Sequence, residues 1–184
     1  DISLGSDGDF QDRRFVDIIN NDLANTIGNL LNRTSSMSRK WFNNKTPSIS
    51  EKKNDKIITL ANNSIKNYLI YFDKYKIDKA SQEILKLATD VNLYLNKKEP
   101  WSLIKDDKNI NEVKLIIYNV LEATRIIGTL IKPLLPEISI KILHQLGEND
   151  NEYKNWDEKL KWGLLPELHD LPKPIPIINK LDYE

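Results

Sequence analysis

Phe15-Val16-Asp17-Ile18-Ile19-Asn20-Asn21-Asp22-Leu23-Ala24-Asn25-Thr26-Ile27-Gly28-Asn29-Leu30-Leu31 is the stretch that decides the fold class. Its apolar residues Phe15, Ile19, Leu23, Ile27, Leu30 and Leu31 recur at spacings of three and four, the period of one face of an α-helix. The pattern predicts a helix over roughly 9–41. Asparagine, a mediocre helix former, crowds its polar surface. Packing against other elements must therefore hold it in place.

The rest of the chain repeats this logic. Residues 43–50 contain Pro47 and read as a loop, and Ser50 is a plausible N-cap for a helix over about 51–74. A break at 76–78 precedes a helix over about 79–96, whose Ile84, Ala88, Val91 and Leu95 share one face. Glu99-Pro100 stops that helix, because a residue before proline avoids the helical region. A short turn carries Trp101 and Leu103. The next helix, over about 111–131, is broken by Pro133 and Pro136, and a last one ends near Leu146 with Gly147 as its C′ residue. Beyond Gly147 the chain turns polar and acidic, and from Trp162-Gly163 onward Pro166, Pro172, Pro174 and Pro176 keep it irregular. The reading is all-α: an antiparallel bundle of about five helices, spanning 11–147, with a Pro-rich tail over 148–184 that packs back on the bundle or on another domain. Residues 1–10, with Gly5 and Gly8, read as the end of a linker from something upstream. Asp1 rather than Met opens the chain, so a fragment is expected.

Composition narrows the function. Hydrophobic residues make up 40% and charged residues 29%, ordinary for a globular protein. With no cysteine, a disulfide framework and a Cys-type zinc site are excluded. His144 and His169 are too few for a histidine metal cluster, so no metal site is expected. The 27 basic and 27 acidic residues balance to zero, which argues against a nonspecific nucleic-acid binder, and no DNA partner is expected. No apolar run approaches the roughly 18 residues of a membrane span, and nothing suggests export, so a cytoplasmic module is expected; with no positive sign of a dimer, it is read as a monomer. There is no Gly-rich phosphate loop and no Ser/His/Asp arrangement. The carboxylates read as solvated helix faces, so no catalytic residue is assigned.

Two constellations look like a binding site. In Gly28-Asn29-Leu30-Leu31-Asn32-Arg33, Asn29 and Arg33 lie four residues apart and share one helix surface, on a flank of the apolar stripe where a groove with a second helix can form. An amide that both donates and accepts, beside a planar guanidinium fork, suits the edges of unstacked bases. From spacing alone, the plainer reading is an Asn–Arg hydrogen bond on a solvated face. In Asn92-Leu93-Tyr94-Leu95-Asn96-Lys97-Lys98-Glu99-Pro100-Trp101, a helix ends in two lysines and a proline holds the chain before a tryptophan. Trp101 is either a platform for a stacked base or a plug at the bottom of the core. Lys97, Lys98 and Lys105 are candidates for phosphate contacts beside it.

These segments, in this order, resemble the anticodon-binding domain of the methionyl-tRNA synthetase family. The resemblance rests on Asp7-Gly8-Asp9-Phe10, Asn20-Asn21-Asp22-Leu23-Ala24-Asn25, Gly28-Asn29-Leu30-Leu31-Asn32-Arg33, Asn92-x-Tyr94 with Glu99-Pro100-Trp101, Leu134-Leu135-Pro136, Gln145-Leu146-Gly147 and Trp162-Gly163. It covers nearly the whole chain. It implies recognition of the CAU anticodon of methionine tRNA, with bases stacking on Trp101 and contacted by Asn29 and Arg33, and with Asn92 in the same signature. It also implies a parent enzyme that uses ATP and Mg²⁺ to activate methionine and charge tRNA, with its own catalytic domain as the partner of this one. The family's HIGH and KMSKS signatures and its zinc-knuckle insertion are missing here. This fragment alone is therefore expected to be no enzyme and to hold no cofactor. The ending Pro176-Ile177-Ile178-Asn179-Lys180-Leu181-Asp182 departs from the Phe-Pro-Arg type of many relatives. The rival readings are the same bundle from another class I synthetase, and a helical interaction module without RNA affinity.

Overall fold

A computed structural model describes residues 2, 4–49, 55–148 and 155–182. Five long helical runs form the bundle among them. The first is continuous from Asp12 to Trp41, but it is not one regular α-helix. It opens as α1 (Asp12–Ile18), widens into a π-helix (Ile19–Gly28) and returns as α2 (Asn29–Trp41). The sequence reading predicts a single α-helix here. Its periodicity holds only in the second half: Ile27, Leu30 and Leu31 reach the core and Leu23 packs against it, whereas Phe15 is 47% exposed, Ile19 is half-buried and no residue of α1 is buried.

Ten residues of π-helix is long for an element usually seen as a single bulge. Local bonds hold it. The Thr26 hydroxyl donates to the Asn21 carbonyl at 2.8 Å, five residues back, and the Asn25 amide donates to Asn21 Oδ1 at 3.4 Å. Gly28 closes the segment. A Cβ there would stand 3.2 Å from the Leu23 carbonyl oxygen and 3.3 Å from Ile177 Cγ1, so glycine lets the tail pass close by.

Next come α3 (Lys56–Asp73) and α4 (Ile77–Lys98), joined by a tight turn with Tyr75 in the left-handed region at φ 55°. The expected cap Ser50 and helix start at Glu51 lie outside the described residues. Asp55 is extended, and the described helix begins after it. The stripe Ile84, Ala88, Val91 and Leu95 is buried as its spacing predicts. A one-turn helix, α5 (Pro100–Leu103), follows, then a 3-10 turn over Asp107–Asn109. The central helix is α6 (Ile110–Ile131), in which every residue from Ile116 to Ile131 is buried. α7 (Pro136–Gln145) folds back on it, and Gly147 ends that run at φ 80°. His169 packs where a Cβ on Gly147 would stand, so its place is doubly restricted to glycine.

The tail is less irregular than expected and belongs to the bundle's core. It contains α8 (Trp156–Lys159), and its Leu160, Leu165, Leu171 and Ile177 join the buried cluster. The anchor is a pair on α6. Glu122 and Arg125 are 0% and 1% exposed and meet at 2.7 Å. The Glu122 carboxylate accepts from the backbone N–H groups of Gly163, Leu164 and Leu165 at 2.7, 3.1 and 2.9 Å. The Arg125 guanidinium donates to the carbonyls of Lys159 and Lys161 at 2.7 and 2.8 Å. Glu122 thus corrects the reading of the carboxylates as solvated. An irregular segment without its own ladder needs partners for its backbone, and a buried ion pair supplies both polarities.

The tail then crosses the bundle. Thr46 holds it through four hydrogen bonds with Pro166, Leu168 and His169. Gln145 Oε1 accepts from the Ile175 N–H at 2.8 Å, and Asn20 clasps the Leu181 backbone with two bonds of 2.9 Å. Among the described residues, no helix is long and apolar enough to cross a membrane.

Candidate nucleic-acid interface

Three elements meet at one end of the bundle. α4 ends with Lys97 and Lys98 in its last turn, where cations suit the negative end of the helix dipole. Glu99 then takes a left-handed conformation, φ 43° and ψ 54°, in place of the extended one that a following proline favours. Its carbonyl accepts from the N–H groups of Ser102 and Leu103 at 2.8 and 3.2 Å. This reversal, with Pro100 buried beneath it, lifts Trp101 to the rim.

Trp101 is 36% exposed and lies outside the buried core, which decides between platform and plug in favour of the surface. Arg33, from the second turn of α2, lies over it, with the guanidinium carbon 5.7 Å from the ring centroid. Arg33 Nη2 also donates to Asn96 Oδ1 on α4 at 3.1 Å. The contact is a cation–π pair at a partly open site.

The remaining residues separate. Asn29 is exposed and borders a different feature, a groove lined by Asn25 and Asn32 of the same helix and by Ile177, Asn179 and Lys180 of the tail. The groove expected with a second helix is thus made with the tail. Asn92 does not join the Arg33–Trp101 cluster. Its Nδ2 donates to the carbonyls of Ala88 at 2.9 Å and Thr26 at 3.2 Å, so its donors serve backbone. Asn92 binds near Thr26 and Asn96 near Arg33, so the first helix and α4 run in the same direction, as alternate members of an up-and-down bundle do.

The cations divide as well. Lys98 turns to Glu112 on α6 at 3.6 Å and lies over the Tyr94 ring, whereas Lys97 and Lys105 are exposed. The Tyr94 hydroxyl donates to Asp55 Oδ2 at 2.6 Å. Burial first, and then the Asp55 carboxylate, push the Tyr94 phenol well above its ordinary value, so it stays a neutral donor that ties the start of α3 to α4.

Spacing alone missed Asn96, although it lies one turn after Asn92 and inside the same signature. It also missed the tail's share of the groove, because helical period says nothing about where an irregular segment lands. Among the described residues, no group of three or more His, Asp or Glu is placed to hold a metal ion.

Residues 46–184 match the family described as the anticodon binding domain of methionyl tRNA ligase. The whole chain is 37% identical to the methionine–tRNA ligase of Caldanaerobacter subterraneus subsp. tengcongensis, of which it covers 29%. It is 32% identical to that of Listeria innocua, covering 28% of it. Among solved structures it is similar to the apo form of Mycobacterium tuberculosis methionyl-tRNA synthetase, with a TM-score of 0.90, 28% identity, and coverage of the whole of this chain and 37% of that one. The same synthetase bound by methionyl-adenylate matches with a TM-score of 0.87 at 29% identity, over 96% of this chain and 35% of that one. The chain therefore spans roughly a third of the length of these relatives.

Proposed function

This chain belongs to the anticodon-binding domain family of methionyl-tRNA ligases, and from that premise we propose that it reads the CAU anticodon of methionine tRNA for a ligase whose catalytic centre lies elsewhere. The parent enzyme activates methionine with ATP and Mg²⁺ and esterifies it to the tRNA, and this chain alone does neither. Its partners are the anticodon loop and its own catalytic domain. It works in the cytoplasm as a monomer, without membrane or DNA.

The observation that carries this reading is the Arg33 guanidinium seated 5.7 Å over a Trp101 ring that keeps 36% of its surface open. An indole supplies sequence-tolerant stacking, worth about 1–3 kcal/mol per base. Asn29 and Arg33 supply discrimination, about 1–3 kcal/mol for a good bidentate contact. Asn92 supports them from behind, through the carbonyl of Thr26. Lys97 and Lys105 meet phosphates.

The test is a tryptophan-fluorescence titration with a CAU-loop hairpin, a hairpin with one anticodon base changed, and Trp101→Phe protein. The reading expects quenching by CAU, weaker binding of the altered loop, and loss of most of the signal change in the variant. Binding that ignores the loop sequence, or no binding by folded protein, would overturn it. Preference for an isoleucine, valine, leucine or cysteine anticodon would favour a sister synthetase.

A further inference from the structure

We infer that Asn96 is a positioning residue for anticodon recognition: its Oδ1 holds the Arg33 guanidinium over Trp101 and thereby aims the donors that remain. The inference rests on the RNA-reading role proposed above. It starts from two contacts on one side chain. The Arg33 guanidinium carbon lies 5.7 Å over the Trp101 ring centroid on α5, and Asn96 on α4 accepts from its Nη2 at 3.1 Å.

A guanidinium is a rigid planar fork of five N–H donors. A ring beneath the guanidinium restrains where it sits but not how the fork turns. An acceptor for one of its nitrogens restrains that turn. Two contacts from two elements therefore orient the whole fork, and the donors not spent on Asn96 keep fixed directions. Preorganisation of this kind raises affinity because less freedom is lost on binding.

The chemistry of Asn96 fits the task. A carboxamide accepts without a full charge, so Arg33 keeps its positive charge for RNA. Asn96 is exposed and lies outside the core cluster, so removing its side chain leaves no cavity. Its neighbour one turn earlier, Asn92, binds the carbonyl of Thr26 on the same long helix. Together they make two rungs between α4 and the first helix, one to backbone and one to the reading side chain.

The experiment uses the full chain, with folding checked by circular dichroism and the melting temperature. First, without RNA, the Arg33 Nε–H signal is followed by nuclear magnetic resonance. The expected result is a ring-current shift from Trp101 that collapses in Asn96→Ala and returns in Asn96→Asp, which keeps the acceptor. An Arg33 signal unchanged in Asn96→Ala would overturn the inference whatever RNA does. Second, CAU-hairpin affinity is measured for the wild type, Asn96→Ala, Arg33→Ala and the double variant. Asn96→Ala should weaken binding by about fivefold, the size of one modest hydrogen bond. In the Arg33→Ala background it should change binding by less than about twofold, since the two residues act as a unit. An equal loss in both backgrounds means that Asn96 acts independently of Arg33, and also overturns the inference. A wild type that binds no hairpin counts against the RNA-reading role, and the first measurement still judges Asn96.

Discussion

In the proposed reading, Arg33 and Trp101 divide the work of recognition between charge and surface. Trp101→Ala should weaken the CAU hairpin and a changed-base hairpin by similar factors, because stacking, at about 1–3 kcal/mol per base, favours no particular base. Arg33→Lys keeps the charge but loses the planar fork. It should narrow the gap between the two hairpins while leaving changed-base binding nearly intact, as a paired titration would show. Equal losses on both hairpins for Arg33→Lys would mean that Arg33 supplies charge alone. Both residues were legible in the sequence, through i,i+4 spacing and through the proline before the tryptophan. Their contact was not. It joins residues separated by 68 positions across two helices, and no local periodicity encodes it.

The π-helix matters at the scale of the element, because it sets the azimuth of everything after it. One residue gained or lost in register turns a helix by about 100° and moves it by about 1.5 Å along the axis. A slip of that size between Ile27 and Asn29 would carry Asn29 and Arg33 away from the groove and from Trp101. Thr26 is the accessible handle, since its hydroxyl bonds the Asn21 carbonyl and its own carbonyl accepts from Asn92. Thr26→Val keeps the shape and removes the first bond. It should cost about 1 kcal/mol in chemical denaturation and speed amide exchange over 24–28. Exchange no faster than in the rest of the first helix would show that core packing alone holds the register. The apolar stripe is compatible with either register locally, which is why the sequence predicts the helix and misses its widening.

For the whole molecule, the tail decides stability and shape. Glu122→Ala removes one partner of a buried ion pair and the acceptor of three tail N–H groups. It should cost about 3–5 kcal/mol in urea denaturation, and it should open 155–182 to protease before the bundle melts. A loss under about 1 kcal/mol would mean that the tail's buried apolar residues and its bonds to Thr46, Gln145 and Asn20 suffice to hold it. Alkaline pH probes the core directly. Burial raises the Tyr68 phenol from its ordinary 10.0 to about 12. The folded chain then holds that proton more tightly than the unfolded one, so its contribution to stability is full below pH 10 and is lost as pH rises toward 12. Denaturation midpoints should stay level to about pH 10 and then fall, together with late tyrosinate absorbance. Net charge is zero, and the proposed recognition should therefore use few phosphate contacts. The logarithm of affinity should fall with the logarithm of salt no more steeply than about four neutralised phosphates require, at about 0.7 each for a single strand.

The sequence by itself determined the all-α class, the core faces of α4 and of the first helix from Leu23 onward, and the Gly147 stop. All of these depend on neighbours within a few positions, where period, capping and backbone restriction act. Only the tertiary structure decided that Arg33 meets Asn96 and Trp101, that Asn29 faces the tail, that Asn92 serves the backbone of Thr26, and that Glu122 and Arg125 lie buried beneath the tail. Each of those depends on where two distant segments land against each other. Packing and the partnering of buried polar groups select that outcome for the chain as a whole.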